Sequence, residues 1–150
     1  MAMHTLLEEG DRASVLGRAD RLTPGTPARW GSMDAARMLR HCAEALRASL
    51  GEVVHRPDGP RLFRTRLVRH LVLRVLPFPR NAPTAPELRM TGAADFDAER
   101  GRLHDLVRRY RAEPDRGVRA EHPLFGVLSR EEWAELEYKH LDHHLRQFGV

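Results

Sequence analysis

Cysteine, lysine and long apolar runs are all scarce in this sequence. Cys42 is the only cysteine, so no disulfide can form within the chain, and we expect a protein of the reducing cytoplasm. The most apolar stretch, residues 67–76, is interrupted by Arg69, His70 and Arg74 and is too short to cross a bilayer. The first residues lack a basic region followed by an apolar one, so we expect no secretory signal and no membrane partner.

Basic residues are in excess, but their pattern does not favour nucleic acid. The formal net charge is +4, and Lys139 is the only lysine among 25 basic residues. A bias towards arginine, alanine and glycine is more typical of a GC-rich genome than of selection for phosphate contacts. Aromatic residues do not alternate with the arginines, as they do in proteins that bind single strands. A nucleic-acid or stress-response binder that uses the arginines of residues 61–74 is therefore the weaker interpretation.

The chain divides into helical segments at clusters of proline and glycine. Its length and composition predict one domain over residues 1–150 with an adequate apolar core. The predicted helices span residues 8–21, 33–54, 61–76, 95–111 and 129–148. Four prolines exclude a regular helix over residues 77–86, and Pro114, Gly117 and Pro123 mark a further loop. Because no segment has a convincing strand pattern, the fold class is all-α.

Apolar residues at three- and four-residue steps indicate the buried face of each helix. Ser32 or Asp34 would cap the helix over 33–54, and Gly51 would weaken its last turn. Ser129 and Glu132 form a capping box at the start of the last helix. The predicted buried residues are Met38, Cys42, Ala45 and Leu46; Phe63, Leu67, Leu71 and Val75; and Phe96, Leu103, Leu106, Val107 and Tyr110.

The last helix contains three histidines, at positions 140, 143 and 144. His140 and His144 are four residues apart and lie on one helix face, so both imidazoles can reach one metal ion. His143 competes with His144, because a spacing of three also suits a pair. The alternative is that these histidines are solvated or hydrogen-bonded to Glu137 or Asp142. Neutral imidazole suits Zn, Ni, Cu and Fe.

His41 is the candidate third ligand. It lies about 12 Å along its helix from Met33, while His140 and His144 lie about 12 Å and 6 Å from Phe148, at about 1.5 Å per residue. If the two helices pack antiparallel, the three histidines reach a similar level. A core histidine satisfied by a neighbour is the competing explanation.

Several segments of the chain resemble one protein superfamily. They are residues 122–126, Trp133, residues 138–149, 30–33 and 38–41, Phe78 to Arg80, and Pro83 to Pro86. On these segments, which extend over nearly the whole chain, the sequence resembles the DinB-like (DinB/YfiT-like) superfamily. More narrowly, it resembles an uncharacterised branch known only as a domain of unknown function.

The resemblance implies a fold, a ligand set and a cofactor. The fold would be a four-helix bundle whose two middle helices run parallel and are joined by a long crossover over residues 55–92. One histidine from the second helix and two from the last, His41, His140 and His144, would hold one divalent transition metal, with Zn or Ni preferred and Fe as an alternative. Some relatives are metal-dependent transferases of small thiols, so the expected partner is a small molecule, in particular a low-molecular-weight thiol.

The sequence does not determine the class of reaction. Three histidines leave a coordination position open, which suits either a hydrolase that activates water or a transferase that activates a thiol. No carboxylate is spaced against the ligands as a general base, and we expect Asp142 to face solvent. No catalytic residue is assigned. His143 and Gln147 are candidates for the pocket or for orienting a ligand, although surface polarity is the preferred explanation for Gln147.

The alternative function is a non-catalytic interaction module. In that case the metal would be structural or absent, and a homodimer would bury the apolar face of residues 67–75.

Overall fold

The computed structural model describes residues 3–82, 89–112 and 121–150 of the chain. Within these residues the fold is all-helical, with five α-helices and no strand. The helices are α1 (Glu9–Ala19), α2 (Ala35–Ser49), α3 (Arg66–His70), α4 (Phe96–Ala112) and α5 (Arg130–Gln147). Among the described residues, no helix is long and apolar enough to span a membrane. The loop predicted at Pro114 and Gly117, and the Pro83 to Pro86 segment, lie outside the described residues.

Helix α2 begins where the sequence predicts and ends earlier. The Asp34 side chain accepts a hydrogen bond of 2.8 Å from the backbone N–H of Arg37, so Asp34 is the cap. The prediction that the helix continues to Val54 is wrong, because α2 ends at Ser49. Gly51 takes a φ of +78°, the left-handed conformation in which helices commonly stop.

The capping box of α5 is confirmed. The Glu132 backbone N–H donates to the Ser129 hydroxyl at 3.2 Å, and the Ser129 backbone N–H donates to the Glu132 carboxylate at 2.9 Å. Each partner satisfies an N–H group that the first turn of a helix leaves without an acceptor. The start of the helix that carries three histidines is therefore fixed by local sequence.

Polar contacts along their lengths show that α2 and α4 run parallel. Near the start of both helices Arg40 lies 3.9 Å from Glu99, and beyond the end of α2 Arg109 lies 2.5 Å from Glu52. Residue numbers thus increase in the same direction along both helices. The core between the helices includes the predicted stripe of α4, which is buried from Phe96 to Tyr110.

Helix α5 runs antiparallel to α2 and α4. Its first residue, Arg130, donates to the carbonyl of Tyr110 near the end of α4. Its last residue, Gln147, accepts a hydrogen bond of 2.7 Å from the backbone N–H of Arg29, shortly before α2 begins. This direction brings the middle of α2 level with the last turns of α5.

Helix α1 packs against α4 and α5, and its Arg18 forms an ion pair with Asp142 of α5. We expected Asp142 to face solvent, but its carboxylate lies 2.7 Å from the guanidinium of Arg18 on α1. The two side chains are only about one-fifth exposed, at 17% for Arg18 and 22% for Asp142. Asp142 therefore joins α5 to α1 and is unavailable as a base.

The helix predicted over residues 61–76 is wrong in form and in its buried face. The segment is a 3-10 turn over Arg61–Arg64, then α3, then a π-helical turn over Leu71–Val75. A π turn has more residues per turn than an α turn, and the buried residue within it is Leu73, whereas Val75 at its end is exposed. Leu67 and Val75 of the predicted buried stripe are 69% and 60% exposed.

Candidate metal centre

Three histidines from two helices meet inside the protein. His41 of α2 is 4% exposed and His144 of α5 is 8% exposed, while His140 of α5 is partly open. One ring nitrogen from each histidine can be chosen so that all three lie within 4.8 Å of one another. His41 Nε2 and His140 Nε2 are 2.9 Å apart and share a hydrogen bond. The sequence predicted these three residues as ligands, and the structure brings them together.

The helix geometry explains why these side chains meet. His140 and His144 are one turn apart on α5, and their ring centres lie 4.7 Å apart. The antiparallel packing of α2 places His41 opposite both, with ring centres 4.9 Å from His140 and 4.8 Å from His144. The cluster therefore depends on a long-range contact between helices that are about 100 residues apart in the chain.

Gln147 fixes the orientation of the His144 ring. The Gln147 side-chain oxygen accepts a hydrogen bond of 2.7 Å from His144 Nδ1, and its amide nitrogen donates to the Trp30 carbonyl at 2.6 Å. A proton on Nδ1 leaves the Nε2 lone pair directed at the cluster, which is the tautomer that binds metal. Gln147 is 4% exposed, so the preferred explanation of surface polarity is wrong.

Glycine is required where Trp30 meets α5. Gly31 has a φ of +81°, and a Cβ built on it would lie 2.5 Å from the Gln147 amide nitrogen. A side chain at this position would displace Gln147 and strain the backbone. A substitution of Gly31, in the loop before α2, would therefore disturb the orientation of His144.

Glu137 lies beside His140, and its sequence position suggested only a hydrogen-bond partner for the histidines of α5. It precedes His140 by one turn, is 3% exposed, and has a carboxyl oxygen 3.8 Å from His140 Nδ1. Burial raises the pKa of Glu137 to about 8, so the carboxyl is largely protonated at neutral pH in the metal-free protein. The only signal in the sequence was its position three residues before His140.

Burial keeps the histidines of α5 neutral. It lowers the pKa of His140 to about 4. It lowers that of His144 to about 2, and the neighbouring His140 and His41 add to the effect. Metal ions bind the neutral imidazole, so these residues are in the required state throughout the physiological range.

The donor set fits a divalent transition metal. Imidazole nitrogens hold such ions at about 2.0–2.1 Å, and three of them leave a coordination position for another ligand. His41 and His140 would turn apart slightly, because an ion would replace the hydrogen bond between them. The nitrogen donors, the amide that orients His144 and the partial burial of the site all suit a transition metal. The geometry does not discriminate between Zn, Ni and Fe.

Aromatic residues form a rim next to His144. The His143 ring is half-buried and lies 5.1 Å from the His144 ring, 5.8 Å from Trp30 and 6.0 Å from Phe78. The Arg80 guanidinium stacks on Trp30 at 4.4 Å. Burial, followed by the nearby His140, lowers the pKa of His143. His143 thus points to the rim, and His144, not His143, completes the cluster.

His122 is a further histidine close to the site. Its Nδ1 accepts hydrogen bonds of 3.1 Å from the backbone N–H groups of Leu124 and Phe125, which leaves the proton on Nε2. Burial lowers its pKa to about 3, and His140 and His55 contribute. With Nε2 protonated, His122 can donate a hydrogen bond but cannot serve as a metal ligand through that atom.

Cys42 and Trp133 both lie in the apolar core, as predicted for Cys42. Cys42 is fully buried, and burial raises the pKa of its thiol well above the usual value, so it is a core residue rather than a nucleophile. Trp133 is 2% exposed and packs in a second apolar cluster with Phe125 and Leu136.

Comparison with known proteins gives a family but no activity. No curated protein matches the chain, and no solved structure matches it. A model of one protein family, described as a protein of unknown function (DUF1569), matches residues 3–149. Because the match extends over almost the entire sequence, the chain belongs to the DUF1569 family of proteins of unknown function.

Proposed function

We propose that this protein is a divalent-metal-binding helical protein and a metal-dependent enzyme that acts on a small molecule. The observation that carries the proposal is the meeting of His41, His140 and His144, with ligand nitrogens within 4.8 Å of one another. Here the three rings face one another, and Gln147 leaves the His144 Nε2 directed inward.

The fold supports the same proposal. We assign the chain to the DinB-like superfamily, with one domain over residues 1–150 and a four-helix bundle of α1, α2, α4 and α5. The parallel direction of α2 and α4 supports the long crossover that we assign to residues 55–92. The ligand set that the superfamily implies is the one that the helices bring together.

Each residue has a distinct part in this proposal. His41, His140 and His144 would hold the ion, with Zn or Ni preferred and Fe as the alternative. The ion would supply Lewis-acid chemistry, which lowers the pKa of a bound water or thiol. Gln147 orients His144, and Glu137 can accept a hydrogen bond from His140 Nδ1 after a small ring rotation. His143 lies at the rim, where it can contact a substrate.

Transfer of a low-molecular-weight thiol is the preferred reaction class, ahead of hydrolysis. Asp142 is held by Arg18, and Glu137 is buried beside a ligand, so neither of these two carboxylates is placed to activate water. A thiol needs no separate base when a metal ion lowers its pKa. Because thiol transfer does not depend on a carboxylate base, it is preferred to hydrolysis.

Activity measurements on reconstituted protein test the proposal. Protein stripped with chelator is reloaded with Zn, Ni or Fe and assayed with a thiol plus an electrophile, and separately with an activated ester. We expect turnover only with metal, and loss of turnover in His41→Ala. The His70→Ala variant changes an exposed histidine on α3 and should stay active. Equal turnover of the metal-free and loaded protein would contradict the proposal.

A second candidate is supported by the exposed apolar face of residues 67–75. Leu67 and Val75 are 69% and 60% exposed, a large apolar area for the surface of a monomer. A second copy of the chain would cover this face in a homodimer. Light scattering after size exclusion should then give twice 17.2 kDa, and Leu67→Glu should give the monomer. Val54→Glu, at a residue that is 78% exposed, is the control that should remain dimeric.

A further inference from the structure

Arg80 presents a positive charge at the rim of the metal centre. Its guanidinium lies 4.4 Å from the centre of the Trp30 ring, and the side chain is exposed. Among the residues that the structure describes, no carboxylate forms an ion pair with it. Stacking on an aromatic ring restricts the orientation of the guanidinium and leaves its N–H groups available to a planar anion.

The residue under Arg80 is the same one that anchors the ligand His144. The Trp30 carbonyl accepts the hydrogen bond from Gln147, and the Trp30 ring lies against His143. The His143 ring in turn lies 5.1 Å from that of His144. Arg80 and the cluster are therefore connected by successive ring contacts through Trp30 and His143.

The segment that carries Arg80 is attached to α5 by the only lysine of the chain. Lys139 donates to the carbonyls of Val72 at 2.5 Å and Leu73 at 3.2 Å, within the π-helical turn. Its ammonium also lies 4.9 Å from the ring of Phe78, which contacts His143. These contacts bring Phe78 to the rim, two residues before Arg80.

The charges of the site favour an anionic molecule. Three neutral imidazoles leave the full charge of a divalent ion uncompensated, so the next ligand atom is best an anion. The sequence from residue 59 to residue 86 contains no aspartate or glutamate. The positive charge of Arg80 is therefore not offset by its own segment.

We propose that Arg80 binds a carboxylate of the substrate while a second anionic atom of the same molecule occupies the open position at the histidine cluster. The proposal rests on the proposed function, and it names the substrate class as small molecules with two separated anionic groups. The Trp30 and His143 rings between the two positions require a spacer of several bonds. A guanidinium can hold a carboxylate through two parallel hydrogen bonds, which also fixes the direction of the molecule.

A pair of thiol probes tests this directly. Untagged, chelator-stripped protein is loaded with Co(II) and titrated with 6-mercaptohexanoate and with 6-mercaptohexanol, which differ only in the terminal carboxylate. Thiolate binding is followed by the sulfur-to-cobalt charge-transfer absorption. We expect the carboxylate probe to bind about tenfold more tightly, since only its carboxylate can accept two parallel hydrogen bonds from the guanidinium.

Variants distinguish a specific contact with Arg80 from a general effect of positive charge on the protein. Arg80→Gln should reduce the preference to less than about threefold without changing the bound cobalt, and Arg80→Lys should retain part of it. Arg108→Gln removes a 66% exposed arginine paired with Asp105 on α4, and it should keep the full preference.

Each contrary result has a distinct meaning. Equal affinity for the two probes, no thiolate absorption in the cobalt-loaded protein, or a preference that survives Arg80→Gln would overturn the role of Arg80 and leave the metal centre intact. Failure to bind cobalt would overturn the proposed function itself, and the substrate inference with it.

Discussion

His144 and Gln147 are joined by a hydrogen bond of 2.7 Å, in which Nδ1–H of His144 donates to the side-chain oxygen of Gln147. The Gln147 amide continues this contact to the Trp30 carbonyl at 2.6 Å. The orientation of one candidate ligand is therefore determined by backbone that precedes a different helix. Removal of this support should affect the metal centre without removing a ligand.

Gln147→Ala should lower metal affinity and keep the fold. Loss of a group that orients a ligating histidine typically lowers metal affinity by about 10–100-fold. Competition with a chromogenic chelator measures the dissociation constant, and circular dichroism checks the helix content. Arg146→Ala, at a neighbour whose side chain is 71% exposed, is the control and should leave the affinity unchanged. An unchanged affinity in Gln147→Ala would show that the hydrogen bond does not support a metal site.

Gly31→Ala should destabilise the protein and weaken metal binding together. The new Cβ would lie 2.5 Å from the Gln147 amide, on backbone with a φ of +81°. Left-handed backbone alone costs a non-glycine residue about 1 kcal/mol or more. Gly17→Ala is the matched control, because nothing lies within 4 Å of its added Cβ inside α1. That variant should gain about 0.5–1 kcal/mol, as measured by urea unfolding. If both variants lose stability equally, the close approach at Gly31 is not the cause.

The metal-free protein should lose stability as the pH falls below about 6.5. Burial lowers the pKa of His122 to about 3, of His140 to about 4 and of His144 to about 2, against 6.5 when unfolded. Below pH 6.5 the unfolded chain therefore binds more protons than the folded one, at about 1.4 kcal/mol per pH unit for each proton. The urea midpoint in EDTA should fall between pH 6.5 and 5. His140→Gln should make the fall shallower, whereas His70→Gln, at an exposed position, should not.

Glu137 should produce the opposite dependence at higher pH. Its pKa is raised from 4.5 to about 8, so the folded chain keeps a proton that the unfolded chain has released. Stability from this group is complete below pH 4.5 and is lost as the pH rises to 8. The three histidines outweigh it below pH 6.5, and of these four groups Glu137 has the largest effect above that value. The urea midpoint of the EDTA-treated protein should therefore decline from pH 6.5 to 8, and Glu137→Gln should abolish this decline. A persistent decline in the variant would exclude Glu137 as its source.

Local sequence is sufficient to predict the parts of the fold that depend on local interactions. Helix α5 begins at its capping box, and α4 buries the stripe that its spacing indicates. The three histidines were also predictable, because His140 and His144 share a helix face and His41 lies at a matching depth in α2. The end of α2 was misjudged, since a glycine at the end of a helix can weaken the last turn or stop it.

The predictions from sequence are wrong where tertiary contacts determine which residues are buried. A stripe of apolar residues does not reveal whether another element covers it, so Leu67 and Val75 were expected to be buried and are exposed. The π-helical turn also changes which residue faces inward. Gln147 and Glu137 carry polar side chains that usually lie at the surface. They are buried only because the Trp30 segment and α2 pack against α5 at those positions, which the sequence alone does not show.

The most direct test is the metal content of the untagged protein, purified without chelating resin and measured by inductively coupled plasma mass spectrometry beside His41→Ala and His144→Ala. We predict about one equivalent of a divalent transition metal in the native protein and almost none in either variant. Added metal should also raise the melting temperature of the stripped native protein, since saturation at about 100 times the dissociation constant contributes about 2.7 kcal/mol. Native protein without bound metal, and without a thermal response to added Zn or Ni, would contradict the metal centre.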